Sequence, residues 1–403
     1  MDADAIVVGG GPAGSATATL LAARGHDVLL LDRARFPRPK ACAEYLSPGT
    51  EDVLARLGAL PAVRALRPER PLGMRLIQDS GVIATIAYRG GADDASVRRA
   101  LCVTRERFDA VLLEHARGNG ARVLEATEVR DVAVGRDGVR VGVRRGEEAE
   151  ALRARVVIGA DGARSAVARG LGVTRRVAWP RRLGLVAHFT RTELTANLSE
   201  WGEMHVSRGA YCGLAPLPDG LLNVGMVLPL DAGRAGGGAR AALAEGLRRV
   251  PAAAARLRGA VQVGPLRGAA PVGARVHRTA GDRFILVGDA AGFLDPFTGE
   301  GVFRALRGAE LAAETLDGAL RRDDLSQRAL ASYEAERRRE FGQKEVVSWM
   351  VQGLLAAPRL LGYALRRLEG RPRHAALLGR VLGDYHPAAD ALRPGFLLGL
   401  LRP

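Results

Sequence analysis

Apolar residues fall into two kinds of run along this chain of 403 residues. Short unbroken runs mark strands buried on both faces, whereas alternating runs mark strands with one wet face. Ala5–Val8 and Val28–Leu31 are unbroken, and Ser15–Arg24 between them is small and alanine-rich, suited to a helix packed tightly on a sheet. Gly25 ends that helix. A further helix is predicted over Arg105–Arg117, followed by Gly118–Gly120 and a strand at Ala121–Leu124. Residues 127–145 alternate around Asp137-Gly138, which predicts a hairpin, and Arg155–Ile158 is again a short buried strand.

From about Arg181 to Pro229 the runs become longer and amphipathic. Leu183–Phe189, Glu203–Val206, Tyr211–Leu217 and Leu222–Leu228 read as an antiparallel sheet with Pro/Asp/Gly turns. An Ala/Gly/Arg-rich loop and helix follows over Ala232–Val250. Phe284–Val287 returns to the buried-strand pattern, Val302–Leu320 is a long helix, and the remaining tail is helical and leucine-rich. No internal repeat is present.

Composition changes this picture little. The formal charge of +15 would ordinarily point to an anionic partner, but 57 of the 59 basic residues are arginine, leaving Lys40 and Lys344 as the only lysines. Such a bias fills ordinary surface positions, and an aromatic content of 4% leaves little for stacking on bases; no nucleic-acid partner is expected. Cys42, Cys102 and Cys212 are odd in number and far apart, which excludes a disulfide framework or a zinc knuckle; no metal is expected. The N-terminus lacks a basic leader and no run is long enough to span a bilayer, so the expected location is cytoplasmic.

Three segments carry chemistry. Gly9-Gly10-Gly11-Pro12-Ala13-Gly14 fits GxGxxG between a buried strand and a helix. Gly9 permits the turn, Gly11 lets a pyrophosphate approach and Gly14 lets helix and strand close. The helix N-terminus offers free N–H groups to phosphates, and Asp32, eighteen residues after Gly14, can accept bonds from ribose hydroxyls. Asp161-Gly162 ends a buried strand at the carboxyl edge of a sheet, where α/β ligands bind. Gly288-Asp289-Ala290-Ala291-Gly292 begins a loop running through Pro296 and Gly299-Glu300-Gly301 into the helix at Val302. Its aspartate can bind a polyol, and its glycines leave space for a flat ring.

In this order and spacing the three segments resemble the GxGxxG, DG and GD motifs of the FAD-containing aromatic hydroxylases (group A monooxygenases), across roughly residues 1–320. The resemblance implies FAD as a tightly held cofactor and NAD(P)H as transient reductant. It places Asp32 at the adenosine ribose and Asp289 at the ribityl chain. Gly299–Val302 would lie at the flavin ring edge, with Arg33, Arg105, Asp161, Gly288 and Pro296 as further FAD contacts. Gly292 departs from the pattern, since those enzymes usually carry histidine there. The loop Asp-Pro-Phe-Thr-Gly-Glu-Gly, with Phe36-Pro-Arg-Pro-Lys-Ala-Cys-Ala-Glu upstream, is more similar to the geranylgeranyl reductase branch, which brings Lys40 near the flavin. The related flavin-dependent halogenases carry Trp-x-Trp-x-Ile-Pro, which is missing; Trp179, the nearest tryptophan, lies in Ala-Trp-Pro-Arg.

The resemblance implies an α/β fold, with a Rossmann-like FAD-binding domain of parallel sheet plus β-meander. That domain takes residues 1–75, 100–180 and 268–335, an antiparallel substrate-binding sheet takes 76–99 and 181–267, and a helical C-terminal cap takes 336–403. The expected reaction is monooxygenation of a lipophilic aromatic, polyketide or isoprenoid molecule through a flavin C4a-hydroperoxide. The alternatives are an FAD-dependent alkene reductase and a non-catalytic flavin-binding or electron-relay protein, although a relay needs no second domain. His188, His205 and Tyr211 are the catalytic candidates, because alternation along the substrate sheet can aim them at the cleft; a lone strand histidine is more often a structural hydrogen-bonder. Val347, Val351, Leu354 and Leu355 fall at helical spacing and are expected to pack on the body, the alternative being a lid or a peripheral membrane face. Oligomeric state is left open.

Overall fold

The computed structural model describes residues 1–89, 97–234 and 237–401. The N-terminal unit alternates as the buried runs predict: β1 (Ala3–Val8), α1 (Pro12–Ala22), β2 (Val28–Leu31). Small side chains at Ala13, Ala16 and Ala18 let α1 lie close to its neighbours. The buried hydroxyls of Thr17 and Thr19 donate back to the carbonyls of Ala13 and Ser15, each at 2.8 Å, so neither is left unpaired. After the hairpin strands β3 (Gly73–Gln78) and β4 (Ile83–Ala87) come α2 (Arg105–Gly118) and β5 (Arg122–Leu124).

The hairpin expected at Asp137-Gly138 joins β6 (Glu128–Val134) to β7 (Val139–Arg145). A second turn at Gly146 leads into β8, which runs from Glu148 to Gly159. The buried strand read at Arg155–Ile158 is thus the far end of a longer element. Its first half is solvent-facing and charged, so it carries no apolar run. β8 closes the meander and then enters the parallel sheet between β1 and β14 (Phe284–Leu286). Among the described residues that sheet runs Ala280–Gly281, β14, β8, β1, β2, β5, with β6 and β7 on the meander branch.

The second sheet is built from β9 (Arg182–Thr190), β10 (Trp201–Ser207), β11 (Ala210–Pro216), β12 (Leu221–Pro229) and β13 (Gln262–Val272), joined by β3 and β4. Its order is β13, β9, β12, β11, β10, β3, β4, with only β10 and β3 parallel among the described residues. β3 crosses the expected border at residue 75, and β13 crosses that at 267. One face of this sheet is covered by the helices α3 (Gly238–Arg249) and α4 (Pro251–Arg256) over a core of Leu185, Leu214, Val224 and Leu228. The other face meets the FAD-type unit and the tail.

The tail opens with α5 (Gly301–Arg321) and α6 (Gln327–Ala356), a continuous helix through the expected cap border at residue 336. Then come α7 (Pro358–Glu369), α8 (Pro372–Leu382) and α9 (Pro394–Leu401). Leu361, Leu365 and Leu368 pack with Ala84 and Ile86 of β4, and a Cβ on Gly379 would overlap the Ala87 carbonyl oxygen. Val347 and Leu355 are buried, with Val351 and Leu354 half-buried beside them, so the expected packing stripe is found. No described helix is long and apolar enough to cross a membrane.

Candidate flavin and substrate site

The glycine turn is shaped by its own contacts. Gly9 has φ of +106°, and a Cβ on Gly14 would overlap the Gly9 carbonyl oxygen, so both positions exclude side chains. Gly11 differs: its absent Cβ would meet only the Arg38 guanidinium, at 3.6 Å. The space over Gly11 is therefore open, bordered by a cation and by the N-terminus of α1, which no side chain caps and no acid occupies. A pyrophosphate fits that chemistry. Asp32 is buried at the end of β2, where its carboxylate accepts the N–H groups of Gly10 (2.7 Å) and Ala34 (2.8 Å). Each oxygen keeps a further lone pair for a ribose hydroxyl, and Arg33 beside it is exposed.

The second and third motifs close on the first. The Asp161 backbone lies against Gly9, and its carboxylate accepts from Ala166 N–H at 2.6 Å. The other oxygen, Oδ1, is buried without a partner, and burial raises its pKa. Asp289 is half-buried, and its carboxylate has no hydrogen bond or ion pair among the described residues. Gly299, at φ +71°, has open space where a Cβ would stand, and Gly301 opens α5 with its first-turn N–H groups uncapped. An unpaired aspartate, bare glycines and a free helix N-terminus fit a ribityl chain and an electron-rich ring edge. Pro296 is half-buried in this loop, whereas the Val302 side chain is buried in the core, leaving only its backbone for a ligand.

The side chains of two expected contacts already have partners within the chain. Glu300 is 5% exposed, and its carboxylate accepts from Arg304 and Ser348, each at 3.2 Å, with the Lys344 ammonium 3.7 Å away. Lys344 also donates to the Val381 carbonyl (2.6 Å) and Asp384 (2.5 Å), which ties the flavin loop to the cap. Arg105 is likewise buried, forming a bidentate pair with Asp109 at 2.7 and 2.9 Å and donating to Cys42 Sγ at 3.3 Å.

Strand alternation sorts the catalytic candidates. His205 points to the α3–α4 face, where its Nε2 donates to Glu203 (3.0 Å), itself clamped by Arg256 from α4. It does not face the flavin loops. Burial disfavours the Glu203 charge, but the His205 hydrogen bond and Arg256 hold its pKa below the ordinary value. Tyr211 points the other way: its hydroxyl donates to Asp295 at 2.6 Å and its ring packs edge-on against Phe297. Burial first, and then the Asp295 charge, push the phenol well above its ordinary pKa, so it stays protonated. His188 faces the same side, with Nε2 donating to Glu44 at 2.7 Å.

Glu44 is the residue that sequence reasoning quoted without assigning a role. It is buried at φ +55° and gathers the Arg105 N–H (2.8 Å), His188 and the Asn223 amide (2.8 Å) on one carboxylate. A cavity of about 160 Å³ opens here, lined by Lys40, Glu44, Glu106, Val186, His188 and Arg267 among others. Asn223 and Asp295 were also missed; their partners lie 179 and 84 residues away, which no local pattern records.

A glycine loop for pyrophosphate on a parallel sheet, set against a second sheet across a polar cleft, defines an FAD-dependent oxidoreductase. Residues 2–347 match the FAD binding domain family, and the chain belongs to it. It is 30% identical over 349 residues to digeranylgeranylglycerophospholipid reductase 1 of Methanothermobacter thermautotrophicus, covering 85% of this chain and 84% of that one. To the menaquinone reductase of Mycolicibacterium smegmatis it is 31% identical over 323 residues, 78% of this chain and 76% of the other. Among solved structures, the flavin-dependent halogenase CmlS superposes with a TM-score of 0.76 at 29% identity. That match covers 85% of this chain and 63% of the halogenase.

Proposed function

We propose that this flavoenzyme takes reducing equivalents from NAD(P)H and passes them to a lipophilic small molecule, saturating a carbon–carbon double bond. Bound FAD, once reduced, supplies a hydride; the chain must hold the alkene, exclude water and deliver a proton to the second carbon. The observation that carries this reading is the His188–Glu44 pair, set at a cavity on the sheet face that meets the flavin loops. With its Nε2–H given to the buried Glu44 carboxylate, the ring is held in one orientation, and in its doubly protonated form it can deliver a proton from Nδ1. Arg105 and Asn223 hold Glu44 in place, and the Glu300–Lys344 contact holds the ring-edge loop. Likeness to two reductases over more than three-quarters of each chain supports the same direction of chemistry.

The three-motif resemblance to aromatic hydroxylases supports a second reading, NAD(P)H-dependent monooxygenation, in which His188 would instead take a proton from a substrate hydroxyl. Halogenation is disfavoured because the Trp-x-Trp-x-Ile-Pro motif of the flavin-dependent halogenases is missing. Product analysis with a polyprenyl glycerol ether and a polyprenyl quinone, with and without ¹⁸O₂, separates the two. Alkene reduction predicts two added hydrogens, no label and full yield under anaerobiosis. Label in the product, with no anaerobic turnover, would transfer the case to oxygenation.

A further inference from the structure

The helix α6 has two apolar stripes, offset by one position. The stripe through Val347 and Leu355 packs on the body; between its turns Lys344 and Ser348 reach Glu300 of the flavin loop, and Gln352 accepts from Arg182, whose Nε lies 3.4 Å from Asp295 of the same loop. The second stripe, Val346, Trp349 and Met350, faces outward at 48%, 37% and 41% exposure, with Gly353 one turn on, also exposed. Such spacing places these residues on one helical face. Trp179, 47% exposed on a separate loop, stacks on Trp349 with ring centroids 5.9 Å apart, which widens the apolar face by a second indole.

Cations border this face. Arg175, Arg176 and Arg181 flank Trp179 and are exposed, Arg338 lies two turns before Val346 beside Arg339, which is paired with Glu336, and Arg359 follows at the start of α7. The nearest acid along the stripe, Glu345, is turned to Arg304 at 2.5 Å and so presents little free negative charge. Two tryptophans and a methionine ringed by arginines match the interface of an anionic bilayer: indoles sit at headgroup depth and guanidinium groups meet lipid phosphates. A second protein would find no comparable reason for so basic a rim.

We infer that this face of α6, with Trp179, docks on an anionic membrane surface. The same helix then links the bilayer side to the flavin loop through its buried Lys344 and Gln352. This deepens the proposed function, since a lipophilic substrate would pass from the bilayer to a site one helix away. Docking is nevertheless read without turnover, so the two proposals fail separately.

The test is co-sedimentation of the holoenzyme with vesicles of phosphatidylcholine alone and of phosphatidylcholine with phosphatidylglycerol. Binding should require the anionic lipid and weaken with salt over the physiological range. The double variant Trp349→Ser, Met350→Ser and the single variant Trp179→Ser should keep bound FAD and flavin reduction, and the double variant should lose vesicle affinity by about tenfold or more. Should the double variant fail to fold, quenching of the native tryptophans by brominated lipids gives the same answer on unaltered protein. Wild-type protein that remains in the supernatant with both vesicles, or variants that bind equally well, would overturn the inference. So would a dimer in light scattering that these substitutions dissociate, because the stripe would then belong to a second copy.

Discussion

The glycines of the first turn do different work, and that difference can be measured. A Cβ at Gly14 has no space, since it would overlap the Gly9 carbonyl, whereas Gly11 faces an opening. Gly14→Val should therefore fail in expression or melt early. Gly11→Val should fold with a wild-type-like circular dichroism spectrum and yet purify colourless, because its side chain fills the phosphate position. Flavin retained by the Gly11 variant would remove this loop from the site. Asp289→Ala should weaken FAD binding by about 1–3 kcal/mol in a titration, the usual cost of a lost bond to a charged group. His188→Ala should lower turnover while the rate of flavin reduction by NAD(P)H holds steady; a fall in both would make His188 a structural residue. These roles were legible in unequal measure. GxGxxG and Asp289 are local patterns, so the sequence displays them. Nothing local to Glu300 reveals that Lys344, itself bound to Asp384, is brought in by the tail to meet its carboxylate.

At the scale of elements, the buried runs β1, β2 and β14 and the hairpin at Asp137-Gly138 could be read directly, because each is a short-range pattern. The first half of β8 could not, being charged and two-sided. Nor could the facing of His188 and His205: alternation fixes sides within a strand, but the register between strands is tertiary. His205 went to the α4 face, where Glu203 takes Arg256, and that has a pH consequence. The Glu203 pKa in the fold lies below the ordinary 4.5. Its ionisation therefore stabilises the fold above that value, and the contribution is lost as pH falls through the depressed one. Glu203→Gln should flatten the decline of stability between about pH 5 and 3 in urea titrations, and an unchanged slope would argue that Arg256 is not holding the charge. The cap is similarly testable at Gly379, which touches the β4 backbone. Gly379→Val should cost about 1–3 kcal/mol as overpacking without altering FAD affinity, and truncation near Leu361 should expose the β4 apolar face and abolish soluble expression.

Over the whole molecule, one chain weaves an FAD-binding unit and a second sheet together, and the tail locks both through Lys344, Gln352 and the β4 contact. In the proposed function this assembly delivers hydrogens, not oxygen, to a lipophilic acceptor. The most direct test is a single turnover without oxygen. Holoenzyme reduced with one equivalent of NAD(P)H in an anaerobic stopped-flow cell is mixed with a polyprenyl quinone or polyprenyl glycerol ether, and flavin absorbance near the usual oxidised band is followed. The oxidised band should return at the rate of product formation, with one saturated double bond per flavin. A flavin that stays reduced beside each acceptor, and reoxidises with product formation only when oxygen is admitted, would contradict the proposed function.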